Sequence, residues 1–280
     1  LRVVPFAPAR TFRQALQSVW FCFAFMRLCG NWPGIGRLDA MLSPFLEREL
    51  KEGTLTEVQA RELLAHFFIK GCEWITGSSN GSGDAQHYQN IVLGGIDEDG
   101  SQLPETAARL ILEVVEELPI SDYPIAVRIN KNTSEELLQL IGRVISHGGG
   151  VVAVYGEDTV IKVWTDAGIP LRDARRFAND GCWEVQVPGE TCFSYHPIDG
   201  YMFLQDGALW LGKSETPDYA DFEGLYAAFR KSMTDYFSTY AENSRYNGDP
   251  SYPTSVVDIF ERGCAHSGRS YFDHGPNYTV

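Results

Sequence analysis

No CxxC pair occurs in the sequence, and its six cysteines, at positions 22, 29, 72, 182, 192 and 264, have no framework spacing. That argues against a disulfide-stapled secreted scaffold and against a cysteine-built zinc site. Cys264-Ala265-His266 lacks partners for a metal, so no metal ligand is assigned. Basic charge is scarce: 23 Lys and Arg face 37 Asp and Glu, for a formal charge of -14. Without a basic stripe to release counterions, nucleic acid and anionic membrane surfaces are poor partners. Long apolar runs are missing too. The most apolar stretch, Val19 to Leu28, is too short to span a bilayer and carries Arg27. No secretory leader, internal repeat or low-complexity linker is present, and the thiols are expected to be reduced in a cytoplasmic protein. The chain begins with Leu1 rather than Met and stops at Tyr278-Thr279-Val280 without a terminating pattern, so it reads as a piece of something longer.

What is present suffices for a large core: 280 residues, 44% hydrophobic and 12% aromatic. Thr11 has the character of an N-cap for a buried helix over Phe12 to Leu28. After the glycine-rich break at 30–36, a second helix runs to Lys51, and Thr56 with Gln59 has capping-box spacing for a third, Glu57 to about Trp74. Gly77 to Gly83 is a loop. Short strands are expected at Ile91 to Leu93, Ile125 to Ile129 and Val151 to Tyr155. They alternate with helices over Pro104 to Leu118, from Thr133 or Ser134 to His147, and over Asp158 to Ala167 and Leu171 to Ala178. A strand at Phe193 to Tyr195, helices at Tyr201 to Leu211 and Phe222 to Asn243, and a loop-rich tail follow. Strand and helix alternating at glycine-marked joints is the α/β pattern, in which chemistry sits on loops at strand ends.

The loop that falls at such an end is Asn179-Asp180-Gly181-Cys182-Trp183-Glu184-Val185-Gln186-Val187-Pro188-Gly189. Its glycines and proline predict a loop or short hairpin projecting from a scaffold. In extended backbone, Cys182, Glu184 and Gln186 share one face, with Trp183 and Val185 on the other as anchors. A sulfur beside a carboxylate can act as a pair that abstracts hydrogen and exchanges protons. Taken alone, an intracellular cysteine is more often a small buried hydrophobe.

The order of several short segments resembles the glycyl radical enzyme family, the relatives of pyruvate formate-lyase. Ile35-Gly36-Arg37-Leu38-Asp39 resembles its Gly-Arg-x-Asp turn, and Leu93 to Gly100 its Gly-Gly-x-x-x-Asp-Gly turn. Pro124 to Arg128 is similar to its Pro-x-x-x-Val-Arg strand, and Gly148-Gly149-Gly150 to the glycine-rich approach to the next one. Gly181-Cys182-Trp183-Glu184 resembles the Gly-Cys-x-Glu loop of the eliminating and decarboxylating branches. Each segment alone is weak. Their common order, from about Thr11 to Gly275, carries the likeness.

The resemblance implies an α/β fold, part of a barrel whose strands enclose the Cys-bearing loop with helices outside. Residues 1–280 would form the central portion of a pyruvate formate-lyase-like catalytic domain. Cys182 would become a thiyl radical and take hydrogen from substrate carbon, with Glu184 as general acid or base. Such chemistry needs an enclosed, dry site, and burial of Glu184 would raise its pKa toward neutrality. No cofactor is bound directly. The radical resides on a backbone glycine of a C-terminal loop, Arg-Val-x-Gly-Tyr-like, which is absent here, and an S-adenosylmethionine-dependent iron–sulfur activase installs it. Partners implied are a small-molecule substrate and that activase, with a homodimer at full length and packaging in a bacterial microcompartment for some members.

Three departures narrow the reaction. Gly181 stands where pyruvate formate-lyase has a second cysteine, and Ile198 falls near its carboxylate-binding arginine, which argues against formate acetyltransferase chemistry. The Cys-x-Glu branch removes water, an amine, sulfite or carbon dioxide. Asn31-Trp32 replaces the His-Ser pair of diol dehydratases, pointing to a less polar or aromatic substrate. Tyr88, with His87 and Asn90, falls near a pocket aromatic, Gln186 shares the chemical face, and His196 follows it. For Asn31, Trp32, His87, Tyr88, Asn90 and His196, packing is the competing reading. Arg37 with Asp39, and Arg128, are expected to hold loops by buried hydrogen bonds. The alternatives carried are a complementing split module of the same family, a formate acetyltransferase-like enzyme, and a cysteine hydrolase with His196 as base.

Overall fold

The computed structural model describes residues 3–29, 34–71, 90–118, 124–148, 152–180, 184–192, 198–243, 256–271 and 273–279. They divide into two compact units, Leu1–Thr191 and Cys192–Val280. In the first, the element order is α1 (Phe12–Leu28), α2 (Leu38–Glu52), α3 (Glu57–Gly71), β1 (Ile91–Gly94), α4 (Thr106–Glu117), β2 (Ile125–Ile129) and α5 (Glu135–Ser146). It continues with β3 (Val152–Gly156), α6 (Glu157–Asp166), α7 (Leu171–Arg175), β4 (Ala178–Asp180) and β5 (Glu184–Gln186).

The helix starts expected from the sequence are made by the expected side chains. The Thr11 hydroxyl accepts from Gln14 N at 3.2 Å, and Ser134 Oγ accepts from Leu137 N at 3.1 Å. Thr56 and Gln59 close their capping box reciprocally, at 3.0 and 3.2 Å.

Strands β1, β2 and β3 form a parallel sheet in that order, with Ile91 opposite Ile125 and Ile125 opposite Val152. Parallel strands need long crossovers, which α4 and α5 supply. Both helices pack on one face. There Ile91, Leu93, Ile125 and Val127 join Leu42, Leu46, Leu64, Phe68, Leu110, Ile111, Leu140 and Ile141 in a continuous core. Each such fully buried side chain contributes on the order of 2 kcal/mol. Because strand side chains alternate, Val92, Ala126, Arg128, Ala153 and Tyr155 point to the opposite face. No helix covers that face among the described residues. It receives β4 instead: Val92, Ala126 and Ala178 form a second small core with Tyr155 against it. The α/β class and the partial barrel, with helices outside and the hairpin inside, therefore follow from which alternate positions of three short strands are wrapped by helices.

Three segments differ from expectation. The helix beginning at Leu171 ends at Arg175, and Ala178 opens a strand rather than closing the helix. Arg128 explains this: it captures the carbonyls of Arg175 and Phe177, drawing the chain out of helical geometry. In the second unit, the stretch expected as one helix from Tyr201 is a single turn, Gly200–Met202, followed by the π-helix Phe203–Ala208. Gly207 lies so close to the helix Phe222–Asn243 that a Cβ there would meet Ser232 Oγ at 2.0 Å. Phe203 is buried with its ring centroid 5.2 Å from that of Tyr236. The tail, expected as loop, contains the short helix Arg262–Ser267, which buries Cys264. The expected strand at Phe193 to Tyr195 lies outside the described residues.

Candidate active site

The loop singled out by the sequence is a hairpin. Strands β4 and β5 pair antiparallel, with Ala178 opposite Gln186, Asn179 opposite Val185 and Asp180 opposite Glu184. Three residues, Gly181, Cys182 and Trp183, join the last pair. They lie outside the described residues, as do Asn31, Trp32, His87, Tyr88 and His196. Glu184, Gln186 and Asn90 remain to be placed.

The hairpin's course is set at its root. Arg128, on β2, is fully buried; its Nη1 donates to Phe177 O at 2.9 Å and its Nη2 to Arg175 O at 2.8 Å. The guanidinium carbon sits 4.0 Å from the centre of the Phe177 ring. One residue further on, Ala178 already lies against Val92 and Ala126. The hairpin thus enters at the carboxyl ends of the parallel strands and runs along their uncovered face. By antiparallel pairing and alternation, Glu184 and Gln186 share the face of Ala178, the one turned to Val92, Ala126 and Tyr155.

Tyr155 is the functional candidate that the sequence reading missed. Its phenol is pushed up to about 12, first by burial and second by the charge of the Glu184 carboxylate. Its ring also packs edge-on against Phe177 at 6.1 Å. The available signal was a polar-tipped aromatic at the carboxyl end of a parallel strand, in register with Arg128. Gln186 is half-buried, and its Nε2 has no acceptor within hydrogen-bond reach. A buried donor left in this way, on the face shared with Glu184, can serve a bound polar group. Asn90 is fully buried before β1, on Val92's face, and its carbonyl accepts from Ile35 N and Gly36 N at 3.0 and 2.9 Å. Its main-chain role is to join the Gly36 turn to the sheet.

Glu184 departs from expectation in one respect: its side chain is exposed, not buried. It stands at the tip-side pair of the ribbon, opposite Asp180 and beyond Ala178, the residue that meets the sheet, so its carboxylate is open to solvent.

The turns read as loop-holding motifs meet in one buried network at the carboxyl ends of the strands. The Arg128 guanidinium pairs with Glu157, the first residue of α6, both side chains being essentially inaccessible (0% and 1%). Glu157 also accepts from Ile96 N at 2.9 Å and from Asn130 Nδ2. Asp39 accepts from Gly94 N at 2.6 Å, and Arg37 Nη2 donates to Gly94 O at 3.1 Å. Burial pushes the Asp39 carboxyl up, against the opposing pull of Arg37 and of two backbone N–H groups. Burial, with the neighbouring Arg37 charge, lowers the Arg128 guanidinium to about 10, partly offset by Glu157. At that value Arg128 is a cation at neutral pH and donates to all its acceptors.

The short hairpin against the helix-free face of a three-stranded parallel sheet is thus where the sequence motifs converge. The chain belongs to the pyruvate formate lyase-like family, whose profile matches residues 1–280. It is 28% identical to isethionate sulfite-lyase from Nitratidesulfovibrio vulgaris over 68% of this chain and 24% of the relative. It is also 28% identical to indoleacetate decarboxylase from Tractidigestivibacter scatoligenes, over 100% of this chain and 34% of the relative. A glycyl radical enzyme from Archaeoglobus fulgidus superposes with a TM-score of 0.80 at 25% identity, covering 99% of this chain and 38% of that one. The chain thus spans about a quarter to two-fifths of the length of these proteins.

Proposed function

We propose that the chain forms the substrate-activating portion of a glycyl radical lyase, dehydratase or decarboxylase. Glu184 opens the second strand of the hairpin, two residues after Cys182 in sequence. In thiyl form, Cys182 removes a hydrogen atom from substrate carbon: the C–H bond breaks, the S–H bond forms, and the unpaired electron passes to carbon. Glu184 exchanges a proton with the adjacent heteroatom, so that a C–O, C–N, C–S or C–C bond cleaves with water, an amine, sulfite or carbon dioxide leaving. A protein glycyl radical, installed by a separate S-adenosylmethionine-dependent iron–sulfur activase, supplies the unpaired electron to the cysteine. Gln186, Asn90 and Tyr155 line the same face, with Asn31, Trp32, His87, Tyr88 and His196 proposed as further substrate contacts. The assembly proposed is a cytoplasmic homodimer; no helix among the described residues is long and apolar enough to cross a membrane.

The observation that carries this reading is the register of the hairpin. Asp180 pairs with Glu184 across a three-residue tip that holds Cys182, and the ribbon runs inward along the uncovered face of the sheet. The test is anaerobic activation of the complete gene product with its activase, followed by electron paramagnetic resonance. Isethionate, trans-4-hydroxy-L-proline and indoleacetate are the first substrates to offer, since relatives are named for them. Cys182→Ala and Glu184→Gln should each abolish turnover while leaving the radical signal. Turnover by Cys182→Ala at the wild-type rate would defeat the reading. An open reading frame that stops without a glycine-radical segment would favour the complementing-module alternative.

A further inference from the structure

The geometry points to Arg128 and Glu157 as positioning residues that set the placement of the Cys182–Glu184 hairpin, an inference that rests on the reading above. Both main-chain carbonyls just before the first hairpin strand are held by one guanidinium, while Arg176 ties the segment after the second strand through Pro188 O at 3.3 Å and Glu190 at 3.4 Å. Arg128 Nη1 and Nη2 hold the Phe177 and Arg175 carbonyls at 2.9 and 2.8 Å, and its plane lies over the Phe177 ring. Phe177 immediately precedes the first hairpin strand. The hairpin strands are short, three residues each, so their placement depends on how the root is held. Glu157 in turn fixes the guanidinium. One of its oxygens pairs with Arg128 and accepts from Ile96 N at 2.9 Å, while the other accepts from Asn130, which also donates to Gln102 at 3.0 Å. The carboxyl ends of β1 and β2 and the amino end of α6 thereby converge on the group that grips the hairpin.

A pair that only stabilised the fold would not need this arrangement. Buried ion pairs are frequently replaceable by apolar residues of similar volume without loss of stability. What apolar residues cannot replace is a planar donor set bridging two main-chain carbonyls and a carboxylate in fixed directions. Lysine brings the charge but presents a single point of donation.

The test uses the complete gene product with its activase, comparing wild type, Arg128→Lys, the double variant Arg128→Met/Glu157→Met, and Cys182→Ala. Arg128→Lys is expected to keep the glycyl radical signal and KM while kcat falls about 100-fold, the usual cost of misplacing a reacting group. Amide exchange over 178–186 should accelerate about tenfold, with β1 and α4 unchanged, since only the hairpin's local opening is altered. The double variant should fold, show the same accelerated hairpin exchange and remain inactive. Wild-type kcat and hairpin protection in Arg128→Lys would overturn the proposal. So would misfolding of Arg128→Lys, exchange accelerated equally throughout the unit, or turnover regained by the double variant. Turnover by Cys182→Ala would instead defeat the thiyl reading and leave the hairpin result standing. Should no offered substrate turn over, the exchange pattern alone decides.

Discussion

Replacing Gly95 by alanine should destabilise the first unit far beyond the ordinary cost of losing a glycine. Gly95 has φ +78°, in the left-handed region, where an L side chain costs roughly 1–2 kcal/mol. Space adds a second and larger cost. A Cβ at this position would stand 2.1 Å from Glu157 Oε1 and 2.9 Å from Arg128 Nε. Neither group has anywhere to go, because both side chains are buried and their other atoms are held by Ile96, Asn130, Arg175 and Phe177. Separating the ion pair exposes each partner to the penalty of a buried, uncompensated charge, about 3–5 kcal/mol. The total expected is roughly 4–7 kcal/mol, enough to unfold a marginal domain. Gly53→Ala is the matched control: its φ is +68°, and a Cβ there would meet nothing within 4 Å, so it bears the backbone cost alone. Native-state amide exchange of β1 and β2 reads the free energy of the first unit independently of the second. A difference between the two variants under about 1 kcal/mol would refute the packing argument.

Tyr155 yields a pH prediction. Its folded phenol is raised from the ordinary 10.0 to about 12, so the folded state holds this proton more tightly than the unfolded one. The stabilisation is fully present below pH 10 and is lost as pH climbs from 10 toward 12. The phenolate ultraviolet band of wild type minus Tyr155→Phe should titrate near the upper value, and Glu184→Gln should bring it down. A difference band centred at the ordinary phenol value would contradict the burial of Tyr155 and the influence of the Glu184 charge on it. Ser134→Ala should cost about 1 kcal/mol by removing the cap of α5, read by the same amide exchange; no loss would show the cap to be idle. Cys264, buried and raised to about 11, should react with iodoacetamide at neutral pH far more slowly than the exposed Cys29, as peptide mass mapping would report.

The sequence alone determined the local grammar of the first unit. The caps at Thr11, Thr56 and Ser134, the crossover helices and the three short strands were all legible, because each depends on residues within one or two turns of one another. The ordered glycine, arginine and aspartate motifs were legible as loop-holders, and the glycine-flanked segment around Glu184 as a hairpin. Only the tertiary structure decided where those motifs meet. Arg128, Glu157 and Gly95 are distant in sequence and converge through strand register. Ala178 is pulled from helix into strand by a guanidinium fifty residues earlier, a competition local propensity does not contain. Tyr155 joins the site because parallel pairing sets it beside Arg128, on the face without helices, and Glu184 is open because it stands at the tip-side pair of its ribbon, beyond the residue that meets the sheet. Periodicity and capping are short-range and written residue by residue. Burial of charge and the facing of side chains across strands are long-range, and they exist only once the chain has closed on itself.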